Sequence, residues 1–452
     1  MTIFCALFAN AVLAGTVSVS GDAVTFTGAF DEAQTLPSGK ASCRVVLEGA
    51  EFRGGIRVPE GMTADFVASA GTTNVFSRIS AEKANVRFVG AGLVVLEGPD
   101  TLMTVADLTL SSGALKVRST GCSAGEARLV AVLGSYLQSG GFLELDLGQS
   151  DQCRVHGIAL LNKAPCHAEI AGGEVKATVA GVRSSAFRGE KGSVDFVFKG
   201  DALRMTAMLC GNEARLVDTA GKQTYAGGTY EVKMPHDFGR YAKPRVFKAD
   251  ERIKVKGGDF DVNVPGPGAE VFSSDDAIVV DGGTLRLVAD DDCFSAVNNI
   301  TVNGGLLRLV SLNDDVLDSN GDIVVNGGTI VAYTAAKGHE AFDVDPMKTS
   351  EGTNPHRLTV NGGTIFATGG KDSDWPAEIV KGQGVVVYAQ AGLASSAFSG
   401  RYLTLPVANG VGATARLPLF RGRNCAILAT CPGFTGEPVT ADDRPAKDVL
   451  EP

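Results

Sequence analysis

The feature that most constrains this chain is a repeat. Val246-Phe247, Val271-Phe272, Cys293-Phe294, Val316-Leu317 and Ala341-Phe342 each open a segment that ends on a Gly-Gly pair. The pairs are Gly257-Gly258, Gly282-Gly283, Gly304-Gly305, Gly327-Gly328 and Gly362-Gly363. Their first glycines lie 25, 22, 23 and 35 residues apart, and the long interval carries an insertion, 346–355, that reads as a surface loop. Fainter Gly-Gly copies begin at Gly172 and Gly227. A period of this size means a solenoid, in which each repeat buries its apolar face only against its neighbours.

The repeats must be strands. Beyond each Gly pair the second and fourth positions are apolar: Phe260/Val262, Leu285/Leu287, Leu307/Leu309, Ile330/Ala332 and Ile365/Ala367. The positions between them are mostly polar, and period two marks a half-buried strand. Glycine tolerates the positive φ that a sharp corner needs. Asp281, Asn303, Asn326 and Asn361 precede the corner, where stacked amides can hydrogen-bond from turn to turn. The reading is all-β, a parallel β-helix with coils of ~22–28 residues, right-handed because parallel crossovers are. Phe247, Phe272, Phe294, Leu317 and Phe342 form one inward ladder, and Cys293 fills the small apolar column beside it with Val271, Val316 and Ala341. The β-helix is expected over 15–372, a small β cap or appendage over 373–435, and a loose tail over 436–452.

Composition excludes several classes. The chain is 44% hydrophobic with a net charge of −10 and 57 Gly, too apolar for a disordered chain. It has no block of Lys and Arg, so nothing displaces counterions from a nucleic acid. No apolar run is long enough to span a membrane. Residues 1–14 form a short apolar stretch ending in small residues, read as the end of a secretory signal although a positive n-region is missing. An extracellular or cell-surface location follows from that reading. Cys153/Cys166 and Cys425/Cys431 are close in sequence and could pair in an exported chain, but connectivity stays open.

Motifs for catalysis are scarce. The five His (156, 167, 236, 339 and 356) are scattered, and no HExxH, GxSxG or phosphate loop occurs. The acids are different. Asp275-Asp276, Asp290-Asp291-Asp292, Asp314-Asp315 with Asp318, and Glu340 with Asp343 and Asp345 recur in consecutive repeats. Aligned, Glu270, Asp292, Asp315 and Glu340 occupy one column, and Asp318 and Asp343 another. Carboxylates one turn apart, about 4.8 Å, repel unless neutralised, and Ca²⁺ with its six to eight oxygen ligands is a natural neutraliser. The plainer reading is a solvated corner, since Asp is a common turn residue. The outward strand column holds Arg286 and Arg308, then Val331 and Phe366. Two stacked Arg could read a sugar carboxylate, and Tyr333, Phe366 or the lone Trp375 could stack on a sugar ring.

The segments Asn313-Asp314-Asp315-Val316-Leu317-Asp318-Ser319 and Gly338-His339-Glu340-Ala341-Phe342-Asp343 resemble the bacterial β-helical carbohydrate-binding family of secreted and cell-surface proteins. The likeness runs from about residue 43 to 370. It implies a right-handed parallel β-helix, calcium ions held by turn carboxylates, and non-catalytic binding of plant-type or acidic polysaccharide. The chain departs from the pattern at 290–299, where the usual polar turn carries Cys293 and Val297. Two other functions are open. One is a calcium-dependent polysaccharide lyase using Arg286 or Arg308 near Asp292 or Asp315; the other is a passive surface spacer or adhesin.

Overall fold

The computed structural model describes residues 14–369, apart from 124, 149–151, 162–165, 191, 193, 236–242, 335, 337, 345–346, 350–351 and 355. Beyond 369 it describes 377–379, 386–388, 400–408, 410–418, 426–434, 441–443 and 449–450. The signal reading of 1–14 therefore lies outside the described residues except for Ala14. No helix occurs among the described residues.

Each coil contributes three short strands, for example Phe294–Ala296, Ile300–Val302 and Leu306–Ser311. These stack on their equivalents in the coils before and after, making three parallel faces. The first face is a continuous ladder of thirteen strands. One inward column can be followed through it by register: Ile56, Ile79, Met103, Val130, Ile158, Phe187, Val217, Phe247, Phe272, Phe294, Leu317 and Phe342. The second and third faces join into one sheet because some strands run round the corner. Ile253–Val264, for example, pairs with both Ile278–Val280 and Thr284–Ala289.

The sequence period therefore holds far beyond the segment where it is visible. Along this column successive residues lie from 22 apart, between Phe272 and Phe294, to 30, between Val217 and Phe247, longer than the range expected. The aromatic ladder is as the repeat predicts. Phe247, Phe272 and Phe294 are fully buried and stacked, with ring centroids 4.8 and 5.3 Å apart. Cys293 is fully buried beside them, and burial pushes its thiol pKa up.

The two glycines of each corner have different tasks. Gly328 sits at φ 90°, a region open to glycine. Gly327 does not, but a Cβ there would lie 2.9 Å from the Asn303 carbonyl oxygen of the preceding coil, so stacking itself demands glycine. The amides before the corner form the ladder that the sequence suggests. Asn361 donates to Asn326, Asn326 to Asn303 and Asn303 to Asp281, each at 2.7 Å, and Lys254 pairs with Asp281 at 2.8 Å.

At each end an antiparallel strand closes one face, the second face at one end and the third at the other. Thr16–Ser20 pairs antiparallel with Ala23–Phe30. At the other end Ala426–Thr430 pairs antiparallel with Thr364–Gly369 and Val386–Tyr388. A second small sheet, Tyr402–Val407, Gly410–Arg416, Ala441–Asp442 and Val449–Leu450, belongs to the same appendage. The segment expected to be a loose tail thus supplies two strands to it. The insertion contributes a backbone hairpin, Met347–Thr349 with Gly352–Asn354. Cys153 forms a disulfide with Cys122, not with Cys166, which is buried. The partners are 31 residues apart, one long coil, and that coil length is not visible in the sequence.

The stacked ring column makes a direct prediction. Phe272→Ala empties a fully enclosed site between Phe247 and Phe294 and should cost about 3–5 kcal/mol in urea-induced unfolding. A loss below 1 kcal/mol would mean that the column is not packed as described.

Candidate functional site

The acids that recur in the sequence meet at the corner between the third face and the next first-face strand. Asp291 and Asp292 lie between Thr284–Ala289 and Phe294–Ala296, and Asp314 and Asp315 between Leu306–Ser311 and Leu317–Ser319. His339 and Glu340 precede Phe342–Val344 on the next coil. Backbone bonds hold these corners in step: Cys293 N donates to Val316 O at 3.1 Å and Val316 N to Glu340 O at 3.0 Å. The aligned column Glu270, Asp292, Asp315 and Glu340 is buried throughout, with none more than 9% exposed. The solvated-corner reading therefore fails for this column.

Two groups of three ligand atoms form there, each within 4.8 Å: Asp291/Asp292/Asp314 and Asp314/Asp315/His339. His339 Nδ1 lies 2.7 Å from Asp314 and 3.5 Å from Asp315, and the Glu340 amide donates to Asp315. Asp318 and Asp343 are register partners on the adjoining face. Their charges act on Asp292 and Asp315 respectively.

The electrostatics record how costly this gathering is. Burial, then the charges of Asp318 and Asp291, pushes the Asp292 pKa up to about 10. Burial and Asp343 push Asp315 up to about 6 against the hydrogen bond from the Glu340 amide. Asp291 and Asp314 shift in opposite directions; burial and Asp314 raise Asp291. Burial also raises Asp314, but its bond with Asp291 and the nearby His339 outweigh that and leave it low. Asp292 is 7% exposed, and its buried Oδ1 has no hydrogen-bond partner. A buried carboxylate oxygen without a partner is expensive, and a cation is one of the few groups that can repay it.

The remaining candidates fall elsewhere. Asp275 and Asp276 sit at the next corner, after Glu270–Ser274, where Asp275 pairs with Lys248 and Asp276 accepts from Asn298 Nδ2 at 2.9 Å. Arg286 and Arg308 are stacked in register on the third face, with Arg286 exposed. Neither makes an ion pair among the described residues, and the Arg308 Nε is buried without a hydrogen-bond partner. Tyr333 and Phe366 do not face solvent. Strand alternation turns them outward, but Leu403, Leu405, Ala415, Ile427 and Phe434 of the appendage cover them, and the Tyr333 hydroxyl donates to the Arg416 carbonyl. Trp375 and Asp345 lie outside the described residues. His339 is the residue that sequence reasoning missed; its signal was its place one step before the acid column.

Residues 239–374 match the model of a family described as carbohydrate-binding domain-containing protein. Match and solenoid together support a β-helical carbohydrate-binding protein. The acid corner, from Asp291 to Asp343, lies inside the matched residues. No curated protein and no solved structure matches the chain.

One other constellation outlines a hydrolytic triad. Ser185 Oγ lies 2.7 Å from His156 Nδ1, and Glu126 lies 3.3 Å from His156 Nε2. Ser185 is wholly buried and His156 is 3% exposed, so the hydroxyl faces no approaching substrate. Burial, then Arg188, Arg128, Arg154 and Arg215, lowers the His156 pKa to about 3. The group is a neutral polar tie between three coils.

Two predictions follow from these charges. Asp292→Asn keeps the shape and removes the ionisable group, so in chelator at pH 7 it should raise unfolding free energy by roughly 1–3 kcal/mol. An unchanged or lowered value in urea unfolding would contradict the burial cost. His156 acts in the opposite pH direction. The unfolded chain protonates it near pH 6.5 while the fold resists protonation until about 3, so its contribution is complete above pH 6.5 and is lost as pH falls towards 3. Stability of His156→Gln should therefore fall less steeply than wild type between pH 6.5 and 4; parallel curves would refute the assignment.

Proposed function

We propose that this chain is an exported, non-catalytic protein that binds polysaccharide and holds Ca²⁺ at Asp291, Asp292 and Asp314, with Asp318 beside them. The observation that carries the metal is the buried Asp292, whose Oδ1 has no hydrogen-bond partner and whose carboxylate offers a ligand atom within 4.8 Å of two further carboxylate ligand atoms. An all-oxygen group suits a hard cation with flexible angles. The second group includes the His339 nitrogen, which suits calcium less well than an all-oxygen set. Cys293, the departure from the polar turn, points into the core and leaves both acids in place.

The carbohydrate part is supported by the family match over 239–374. Export is supported by the Cys122–Cys153 disulfide, a bond that persists in oxidising compartments, and by the apolar start of the chain. The binding-only reading is supported by the burial of Ser185 and by the lack of an ion pair between Arg286 or Arg308 and the acids among the described residues.

Melting in calcium and in chelator tests the ion. At a free concentration a hundred times the Kd, calcium should add about 2.7 kcal/mol. Asp292→Asn and Asp315→Ala should each weaken calcium affinity, the first more. A midpoint indifferent to calcium would sink the metal. Retention of polysaccharide in pull-downs, without release of unsaturated, ultraviolet-absorbing product from polygalacturonate, is the expected result for a binder; such product would make the chain a lyase.

A further inference from the structure

A second site lies outside the matched segment, on the corner that leads into the first face of the middle coils. A cavity of about 500 Å³ opens there across four consecutive coils. Its walls are Glu126 on the first, Gln152 and Arg154 on the second, Arg183 on the third, and Asn212 and Glu213 on the fourth. The lining is made of amides, guanidinium groups and carboxylates, the side chains that hydrogen-bond hydroxyl-rich ligands. Arg183 and Glu213 hold φ of 50° and 54°, a left-handed conformation rare for residues with side chains. The fold tolerates this unusual backbone on two adjoining coils, both at the cavity, and such outliers gather at ligand sites.

Most charges around the cavity are paired. Arg128 pairs with Glu190 and Glu126, Arg183 with Glu213 at 2.9 Å, and Arg188 and Arg215 share Asp218. Arg154 is exposed and has no ion-pair partner among the described residues. The lining itself holds two arginines, Arg154 and Arg183, against two carboxylates, Glu126 and Glu213; with Arg183 tied to Glu213 and Glu126 to Arg128, Arg154 is the cation left over. Burial first, and then Arg188, Arg128, Arg154 and Arg215, lowers the pKa of the neighbouring His156.

We propose that this cavity binds an anionic saccharide, one bearing carboxylate or sulfate, with Arg154 as the group that pairs with the anion and without a metal ion. The ligand class rests on the carbohydrate-binding reading; the site and its metal independence do not. A guanidinium offers two parallel donors to such an anion, a geometry that an ammonium cannot reproduce. Gln152 and Asn212, on the coils before and after that of Arg183, add amide groups to the lining.

Titration calorimetry of the full chain, in chelator throughout, separates the possibilities. The probes are an oligogalacturonate, a sulfated oligosaccharide and a neutral cello-oligosaccharide of equal length. Wild type should bind at least one anionic probe more tightly than the neutral one. Arg154→Gln should weaken that binding at least tenfold, and Arg154→Lys should fall between. Which anionic probe is preferred tells carboxylate from sulfate. Equal affinity in Arg154→Gln and wild type would overturn the proposal, as would equal binding of the neutral probe. Binding that appears only when calcium is restored would overturn it too, while leaving the calcium reading intact. Failure of every probe to bind, with calcium or without, would remove the carbohydrate reading as well.

Discussion

Everything in this molecule depends on stacking one coil on the next in register, so that like residues meet like residues about 4.8 Å apart. The same geometry has opposite consequences for different chemistries. An amide carries both donor and acceptor, and so the column Asn361, Asn326, Asn303 is self-complementary and ties four coils together with Asp281 at its foot. Flat rings gain contact area by stacking, as Phe247, Phe272 and Phe294 do. A carboxylate has only acceptors and a charge. Two of them one coil apart repel by roughly 3.5 kcal/mol at an effective dielectric of 20. The column Glu270, Asp292, Asp315 and Glu340 is thus a place where stacking works against the fold, and it is buried as well. Left to itself the chain answers with protons, raising Asp292, Asp315 and Asp291 while Asp314 stays low. A divalent cation is the alternative answer to the same repulsion.

Much of this was legible in the sequence, and what was not has identifiable physical causes. The Phe-to-Gly-Gly unit fixes strand, corner and inward column from Val246 onward, because short coils leave no freedom in where each residue falls. Upstream the steps along the inward column lengthen to as many as 30 residues, and the column becomes Met103, Val130 and Ile158 in place of aromatic residues. The fold continues while its signature dissolves, and the Cys122–Cys153 partnership disappears from view with it. The acid column was read correctly as a column, yet its depth was not, since a run of Asp looks the same in a solvated turn and in a buried one. Tyr333 and Phe366 show the converse limit. Period two gave their direction, but whether an outward residue meets water is decided by the appendage that folds back from beyond residue 400.

The caps have a physical role of their own. A parallel ladder ends in unpaired backbone groups at each terminus, an open invitation to further strands. Antiparallel strands at both ends, Thr16–Ser20 and Ala426–Thr430, change the pattern of bonds there. On the second face at one end and the third face at the other, the ladder thus stops continuing in the parallel register of the inner coils.

Within that rod the charge is sorted by coil. Because each coil contacts chiefly its neighbours, a substitution in one region is felt only locally, and distant coils can carry unlike surfaces at little mutual cost. The acids gather at the corner from Asp291 to Asp343, where coils are short and residues recur in phase. The arginines gather from Arg128 to Arg215, where coils are long and Arg128, Arg183 and Arg188 each reach a carboxylate on another coil. Net charge therefore misdescribes this protein locally. An overall −10 argues against anionic partners only if the charge is spread, and here much of it is gathered at one corner while the charges lining the cavity by Arg154 balance. A ligand that the whole chain would repel can still be held by four coils of it.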